Sequence, residues 1–283
     1  MRTKQLVLIL VFLVSGCGEN QEIGCFVSDG AIVVGGQTGQ ELSPAQVFRK
    51  NNGTEPGTLD PHRAEGVPAS NVLRDLFEGL VMEDPSGAYI PGAAESWNIS
   101  EDAKTYTFKI RENSKWSNGD VLTAEDFVYG LRRSADPATL SNYASMLYPI
   151  KNARDVVLGK KKPQALGVST DGPTTLIIEL EEPTPYFLSL LTHSTTYAAH
   201  RPTVEEFGSQ FTRPGNLVSN GAFKLAEWRV QSHIKLVRNT EYWDDTNTTL
   251  DEVYYYPIDD VSSSLKRYRA QELDFTETVL AEQ

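Results

Sequence analysis

Residues 94–128 read AESWNISEDAKTYTFKIRENSKWSNGDVLTAEDFV. The centre of this stretch alternates: Tyr106, Phe108 and Ile110 are apolar, while Thr105, Thr107 and Lys109 are polar. Period-two patterning predicts a strand with one buried face. Ser117-Asn118-Gly119-Asp120 is turn chemistry, because Asn and Gly tolerate positive φ. Thr123, with Asp126 three residues on, predicts a helix opened by a capping box whose Asp is shorter than the usual Glu. Phe127, Val128 and Leu131 then share one helical face. Trp97 and Trp116 flank the strand, and both indoles are expected in one core.

Working outward, the same logic extends in both directions. Gln46 to Arg49 is strand-like, and Asn51-Asn52-Gly53 is a turn. Ser70 precedes Val72, Leu73, Leu76, Phe77 and Leu80, which predicts a helix with Ser70 as its N-cap. Asp84-Pro85-Ser86-Gly87 is a turn between two short extended pieces. Asp60-Pro61 reads as a polar cap or turn. Thr174 to Leu180 predicts a strand, and Tyr186 to Leu191 a short helix after Pro183 and Pro185. Phe223/Leu225 and Ile234/Leu236 predict a hairpin, Val253 to Tyr256 a strand, and Ser262 to Leu273 a helix. Strands and helices mix without strict βαβ alternation, so the class is α/β to α+β.

The N-terminus reads differently. Arg2 and Lys4 precede Leu6 to Val14, an unbroken apolar run of nine residues. That is too short to span a bilayer, which takes about 20. It reads as a secretory signal, a buried N-terminal helix or strand being the alternative. Val14-Ser15-Gly16-Cys17 resembles a bacterial lipobox, so residues 1–17 are expected to be a lipoprotein signal with Cys17 as the lipidated residue. Ordinary cleavage near Gly16 is the alternative. Several acyl chains anchor stably where one is marginal. If Cys17 is acylated, Cys25 is unpaired; a Cys17–Cys25 disulfide is the rival reading. Residues 18–43, rich in Gly, Gln, Ser and acidic residues, read as a flexible tether.

The chain has 283 residues and a formal net charge of −12. An acidic chain lacks the basic footprint of broad nucleic-acid binding. No G-x-S-x-G, P-loop or H-E-x-x-H pattern occurs, and Gly36 and Gly39 do not make a dinucleotide fingerprint. His62, His193, His200 and His233 are scattered, without helical ligand spacing. Glu181-Glu182 and Asp259-Asp260 read as solvated faces. The balance falls against an enzyme, and no cofactor or metal site is expected.

From Asn51 onward the sequence resembles the family-5 extracellular solute-binding proteins of ABC importers, above all those that take oligopeptides. The segments that carry the resemblance are Asn51 to His62, Glu65-Gly66-Val67-Pro68, Arg74 to Leu80, Ala94 to Trp97, Tyr106 to Glu112, Lys115 to Asp120 and Thr123 to Val128. Tyr143-Ala144-Ser145, Pro183 to Phe187, Asn220 to Phe223 and Asn239 to Asp244 continue it. The resemblance implies a periplasmic-binding-protein type II-like clamshell that closes on its ligand by a hinge. It implies oligopeptide binding by main-chain hydrogen bonds with hydrated side-chain pockets, delivery to permease subunits with their ATPases, and no chemistry.

Carried over by position, the peptide-facing candidates are Glu65, Gly66 and Val67, then Tyr143, then Asn220, Gly221 and Ala222. Glycine admits a close ligand backbone, Asn offers donor and acceptor, and Tyr an apolar wall with a polar tip. The resemblance divides the chain into 44–90 plus 205–283 as an incomplete domain I and 91–204 as domain II. The resemblance further implies a third lobe, with the carboxylate that pairs with a peptide's α-amino group, and that lobe is expected to be missing from this chain. A truncated clamshell is therefore expected, binding peptide weakly or not at all. The expected protein is a monomer, periplasmic or at the cell surface, held to a bacterial membrane by its lipid. Dipeptide, murein-peptide, nickel or haem binding within the family, a peptide-sensing signalling receptor, and a secreted hydrolase with an unrecognised carboxylate pair are the rival readings.

Overall fold

Tyr106, Phe108 and Ile110 are buried and their polar neighbours are only partly covered, as alternation predicts for the strand at the centre of a four-stranded sheet. The structure is a computed structural model that describes residues 26–28, 31–33 and 43–279. The expected signal at 1–17, with Cys17 and also Cys25, lies outside the described residues, as does much of 18–43. Two units are distinguished, 1–44 and 45–283. In the first, β1 (Phe26–Ser28) pairs antiparallel with β2 (Ala31–Val33). The segment read as a tether thus contains a short ribbon, built from the aromatic and β-branched residues that favour extended pairing.

The second unit runs β3 (Val47–Asn51), α1 (Gly66–Leu76), β4 (Val81–Glu83), β5 (Tyr89–Pro91), β6 (Ala94–Ile99), β7 (Thr105–Ile110), α2 (Ala124–Ala135), α3 (Ala153–Val157), β8 (Val168–Thr170) and β9 (Thr175–Glu179). It continues with α4 (Phe187–Leu190), α5 (Arg201–Phe207), β10 (Phe223–Arg229), β11 (His233–Arg238), β12 (Glu252–Tyr256) and α6 (Val261–Arg269). One sheet has the order β6-β7-β9-β8, antiparallel throughout. Its register sets Phe108 against Leu176 and Tyr106 against Ile178, so the apolar rows coincide across the ladder. Helix α2 covers β8 and β9 with Phe127, Val128 and Leu131 buried. The Asp126 carboxylate accepts from the Thr123 N–H and hydroxyl at 2.8 and 3.0 Å, which occupies a donor that the first turn leaves open.

The other sheet has the order β10-β11-β12-β3, with β10, β11 and β12 antiparallel and β3 parallel to β12. Beyond β3, Asp274 and Phe275 donate to the Arg49 carbonyl and the Asn51 N–H donates to the Phe275 carbonyl, so the outer edge of β3 is paired. A hairpin, β4–β5, stands apart from both sheets. One continuous apolar cluster includes residues from both four-stranded sheets, α1 and α2. Trp116 is fully buried in it, and Trp97 packs against it over Phe108, so the two indoles do share a core.

Two helices differ from the sequence reading. α1 begins at Gly66, with Glu65 rather than Ser70 as N-cap. Pro68 suits the first turn, where a missing N–H costs nothing, and Ser70 falls within the helix. The chain turns extended at Phe77, so Leu80 is buried from outside the helix. α6 ends at Arg269, and Gln271 takes φ +60, a left-handed conformation that stops propagation. Leu273 reaches the core from the segment that follows. No helix among the described residues is long and apolar enough to cross a membrane.

Candidate functional site

The N-terminal turn of α1 is held in place by its apolar face. Ala69, Val72, Leu73 and Leu76 are buried at helical spacing, which leaves Gly66, Val67 and Ser70 on an open side. Gly66 has φ +79, a conformation that a side chain would strain. Val67 is 62% exposed, an apolar side chain presented to solvent at a helix start. Across from it stands Tyr143, whose ring meets the His193 imidazole edge-on at 5.0 Å. Gly66, Val67, Ser70, Tyr143, His193 and Ser194 line a cavity of about 230 Å³. Glu65 is exposed next to it.

His193 is oriented by its own turn. The Thr195 N–H donates to its Nδ1 at 3.2 Å and the Thr195 hydroxyl lies 3.0 Å from the same atom. The proton then sits on Nε2, which has no partner among the described residues. Burial, and secondarily the charge of Arg74, lowers its pKa, so the ring stays neutral and offers a donor. The sequence reading placed His193 among scattered histidines with no assigned use. Its pairing with Tyr143 is a tertiary fact, with no local signal in sequence.

The third group of candidates goes elsewhere. Asn220 is buried, and both ends of its amide are occupied: Oδ1 accepts from the Glu78 N–H at 3.2 Å and Nδ2 donates to the Glu78 carbonyl at 2.9 Å. Gly221 donates its N–H to the Leu76 carbonyl at 2.8 Å, and its own carbonyl accepts from Asn239 Nδ2 at 2.8 Å. A Cβ on Gly221 would lie 2.7 Å from the Asp75 carbonyl oxygen. The Ala222 carbonyl accepts from the Asn239 N–H. Close backbone approach does explain Gly221, but the backbone is the chain's own. Asn220, Gly221 and Ala222 clip the end of α1 to β10 and do not line the cavity that holds Gly66, Val67 and Tyr143.

The clip belongs to a second, larger feature. Arg74, Phe77, Glu78, Thr192 and Tyr197 help line a cavity of about 550 Å³ at the far end of α1. Glu78 accepts from the Tyr242 hydroxyl at 2.5 Å and from Trp243 Nε1 at 2.8 Å. Burial outweighs these bonds and pushes its pKa up to about 7. The Arg111 guanidinium lies over the Trp243 ring at 3.6 Å, and burial also raises the Tyr242 phenol. Glu78, Arg111, Tyr242 and Trp243 all lie in segments that carry the resemblance, but the sequence reading assigned none of them a role.

A third cluster braces the site from behind. Arg133 on α2 binds Asp60 through two nitrogens and also donates to His62 Nδ1 at 2.8 Å. His62 Nε2 then donates to the Tyr197 carbonyl at 2.9 Å. Asp60-Pro61, read as a turn, does turn, but its carboxylate is buried and ion-paired. Among the described residues, no group of three or more His, Cys, Asp or Glu could hold a metal ion.

Two four-stranded sheets thus share one apolar cluster, and a cavity with polar and aromatic lining lies at the start of α1. A profile described as bacterial extracellular solute-binding proteins, family 5 Middle, matches residues 88–283, and the chain belongs to that family. It is 46% identical over 240 residues to the periplasmic oligopeptide-binding protein OppA of Salmonella typhimurium, covering 84% of this chain and 44% of the relative. It is 40% identical over 243 residues to the periplasmic murein peptide-binding protein MppA of Escherichia coli, covering 85% and 45%. Among solved structures, Haemophilus influenzae OppA in complex with the peptide RPPGFSPFR matches with a TM-score of 0.82 at 43% identity, over 85% of this chain and 47% of that one. The Escherichia coli murein tripeptide-binding protein MppA matches with a TM-score of 0.82 at 40% identity, over 84% and 47%. The chain therefore spans about half the length of the relatives it matches. Those relatives are solute-binding proteins rather than enzymes.

Proposed function

We propose that this chain forms one wall of an oligopeptide site in the substrate-binding component of an ABC importer. The observation that carries the reading is the convergence of Gly66, Val67 and Tyr143 on one cavity, three positions brought together from segments 76 residues apart. Gly66 lets a peptide main chain come close, Val67 and Tyr143 give apolar contact, and the His193 Nε2–H and the Tyr143 hydroxyl offer hydrogen bonds. Glu65 stands at the rim as a charge. Main-chain recognition of this kind tolerates many sequences, with water filling side-chain space. A cavity of about 230 Å³ is below the roughly 300 Å³ at which drug-sized sites begin, so this wall alone would hold a peptide weakly.

The same proposal carries the remaining parts of the assembly. Residues 44–90 plus 205–283 would belong to domain I and 91–204 to domain II, in keeping with a sheet drawn from β3 and β10–β12 and another drawn from β6–β9. Cys17 would carry the lipid that holds a monomer to a bacterial membrane, on the periplasmic or outer face. Permease subunits and their ATPases would be the partners, and the protein would do no bond chemistry.

The test is amide NMR of the chain with a neutral tripeptide. Shifts confined to residues 65–67, Tyr143 and His193, and lost in Tyr143→Ala, are expected. Shifts that centre on residues 220–222, or that persist in Tyr143→Ala, would refute the assignment.

A further inference from the structure

On the other side of the turn that carries Arg63, a separate cavity of about 500 Å³ is lined by Arg63, Arg213, Asn142, Thr212 and Trp228, among others. Its charge is unusual for a chain with a formal net charge of −12. Both arginines are exposed. Among the described residues the Arg63 guanidinium has no hydrogen bond or ion pair, and Arg213 makes only a contact over the Trp228 ring at 5.8 Å. The one carboxylate in the lining, Glu55, keeps its charge but is turned to neutral donors: its two oxygens accept from Trp228 Nε1 and from the Gln231 N–H. Another carboxylate, Asp60, lines an adjoining cavity that shares Thr58, Arg63, Ser209 and Thr212 with this one. It is buried and bound bidentately by Arg133.

Arg63 and Arg213 thus line one concave space with neutral donors, the Asn142 amide and the Thr212 hydroxyl, and outnumber its one carboxylate, Glu55, two to one. Guanidinium forks match the oxygens of carboxylate and phosphate in pairs, which point charges such as Lys do not. The Trp228 ring, with its centroid 5.8 Å from the Arg213 guanidinium, lies within cation–π reach and gives that group an aromatic neighbour at the cavity wall. We propose that this cavity is a binding site for a small oxyanion, a carboxylate or phosphate group held between Arg63 and Arg213. It shares no lining residue with the peptide cavity and does not depend on the peptide reading.

The test follows the indole N–H resonance of Trp228, assigned by its loss in Trp228→Phe, while the 283-residue chain is titrated separately with inorganic phosphate, succinate and sodium chloride at matched ionic strength. A saturable shift with phosphate or succinate and not with chloride is expected, and the preferred ion identifies the oxyanion. Arg63→Gln should weaken it about tenfold, the scale of one lost charge-assisted bond pair. Arg63→Lys should recover only part, because the fork is gone. Arg63→Gln/Arg213→Gln should abolish it. A linear response equal to that of chloride, or a double variant that titrates like the parent chain, would overturn the proposal.

Discussion

Arg133 grips both carboxylate oxygens of Asp60, at 2.8 and 2.6 Å, although 73 residues separate them in the chain. The pair joins the loop ahead of α1 to α2, the helix that covers β8 and β9. Burial pushes the Asp60 carboxyl up, but the bonds to Arg133 and its charge prevail, and the group stays below the usual carboxylate range. Because both side chains are largely shielded, deleting one strands a charge. Arg133→Ala and Asp60→Ala are each expected to cost about 3 kcal/mol or more, the scale for breaking a buried pair. Urea unfolding would measure it, and a loss under about 1 kcal/mol would place the pair with exposed salt bridges.

His62 gives the same cluster a pH signature. Burial first, and the Arg133 charge second, lower its pKa to about 4 from a normal 6.5. The unfolded chain then binds more protons between those values, so stability is intact above about pH 6.5 and falls as pH drops toward 4. His62→Gln should flatten this stretch of the stability–pH profile by an amount on the order of 1–3 kcal/mol. An unchanged slope between pH 4 and 6.5 would show that His62 is not held neutral.

Glu78 carries the opposite sign. Its folded pKa is raised to about 7, so its protonated form is favoured by folding. Its contribution is present below about pH 4.5 and is lost as pH rises through 7. Differential infrared titration of the carboxyl band should find a carboxylic acid signal still present at pH 6 that is lost in Glu78→Gln. Its absence from the parent chain would refute the assignment.

Gly130 sits inside α2, where alanine normally stabilises a helix by roughly 1 kcal/mol. Here a Cβ would come within 2.4 Å of the Tyr197 carbonyl oxygen and 3.1 Å of the Ala198 Cα. The backbone cannot yield as a flexible side chain would. Gly130→Ala should therefore destabilise by about 1–3 kcal/mol, the range for overpacking, with a lower thermal midpoint. A gain in midpoint would mean that propensity wins over contact.

Asn220→Ala separates architecture from binding. It leaves the Glu78 N–H and carbonyl without their side-chain partner in a buried place, at a cost of about 2 kcal/mol. Peptide-induced shifts at Gly66 and Tyr143 should survive in the folded variant. Their loss while the fold is intact would return Asn220 to the ligand site.

The two ways in which sites were legible differ in kind. Gly66, Val67 and Tyr143 were named from segments that resemble a family, and they line one cavity, which is what the proposed site rests on. Asn220 to Ala222 came from the same resemblance and turned out to clip α1 to β10, since a motif says that a residue type matters and not which neighbour it serves. Asp60, His62 and Glu78 lie in segments that resemble the family, while His193 and Arg133 lie outside them; none was given a functional role, because each depends on partners many tens of residues away.

Local pattern alone settled the strand at Thr105–Ile110, the Thr123–Asp126 helix start and the Phe223–Arg238 hairpin, because alternation, caps and turns are satisfied within a few residues. Where α1 begins, which imidazole faces Tyr143, and which carboxylates are buried were decided only by packing. Those outcomes are set by desolvation and by contacts between distant segments, which one sequence read in short windows does not contain.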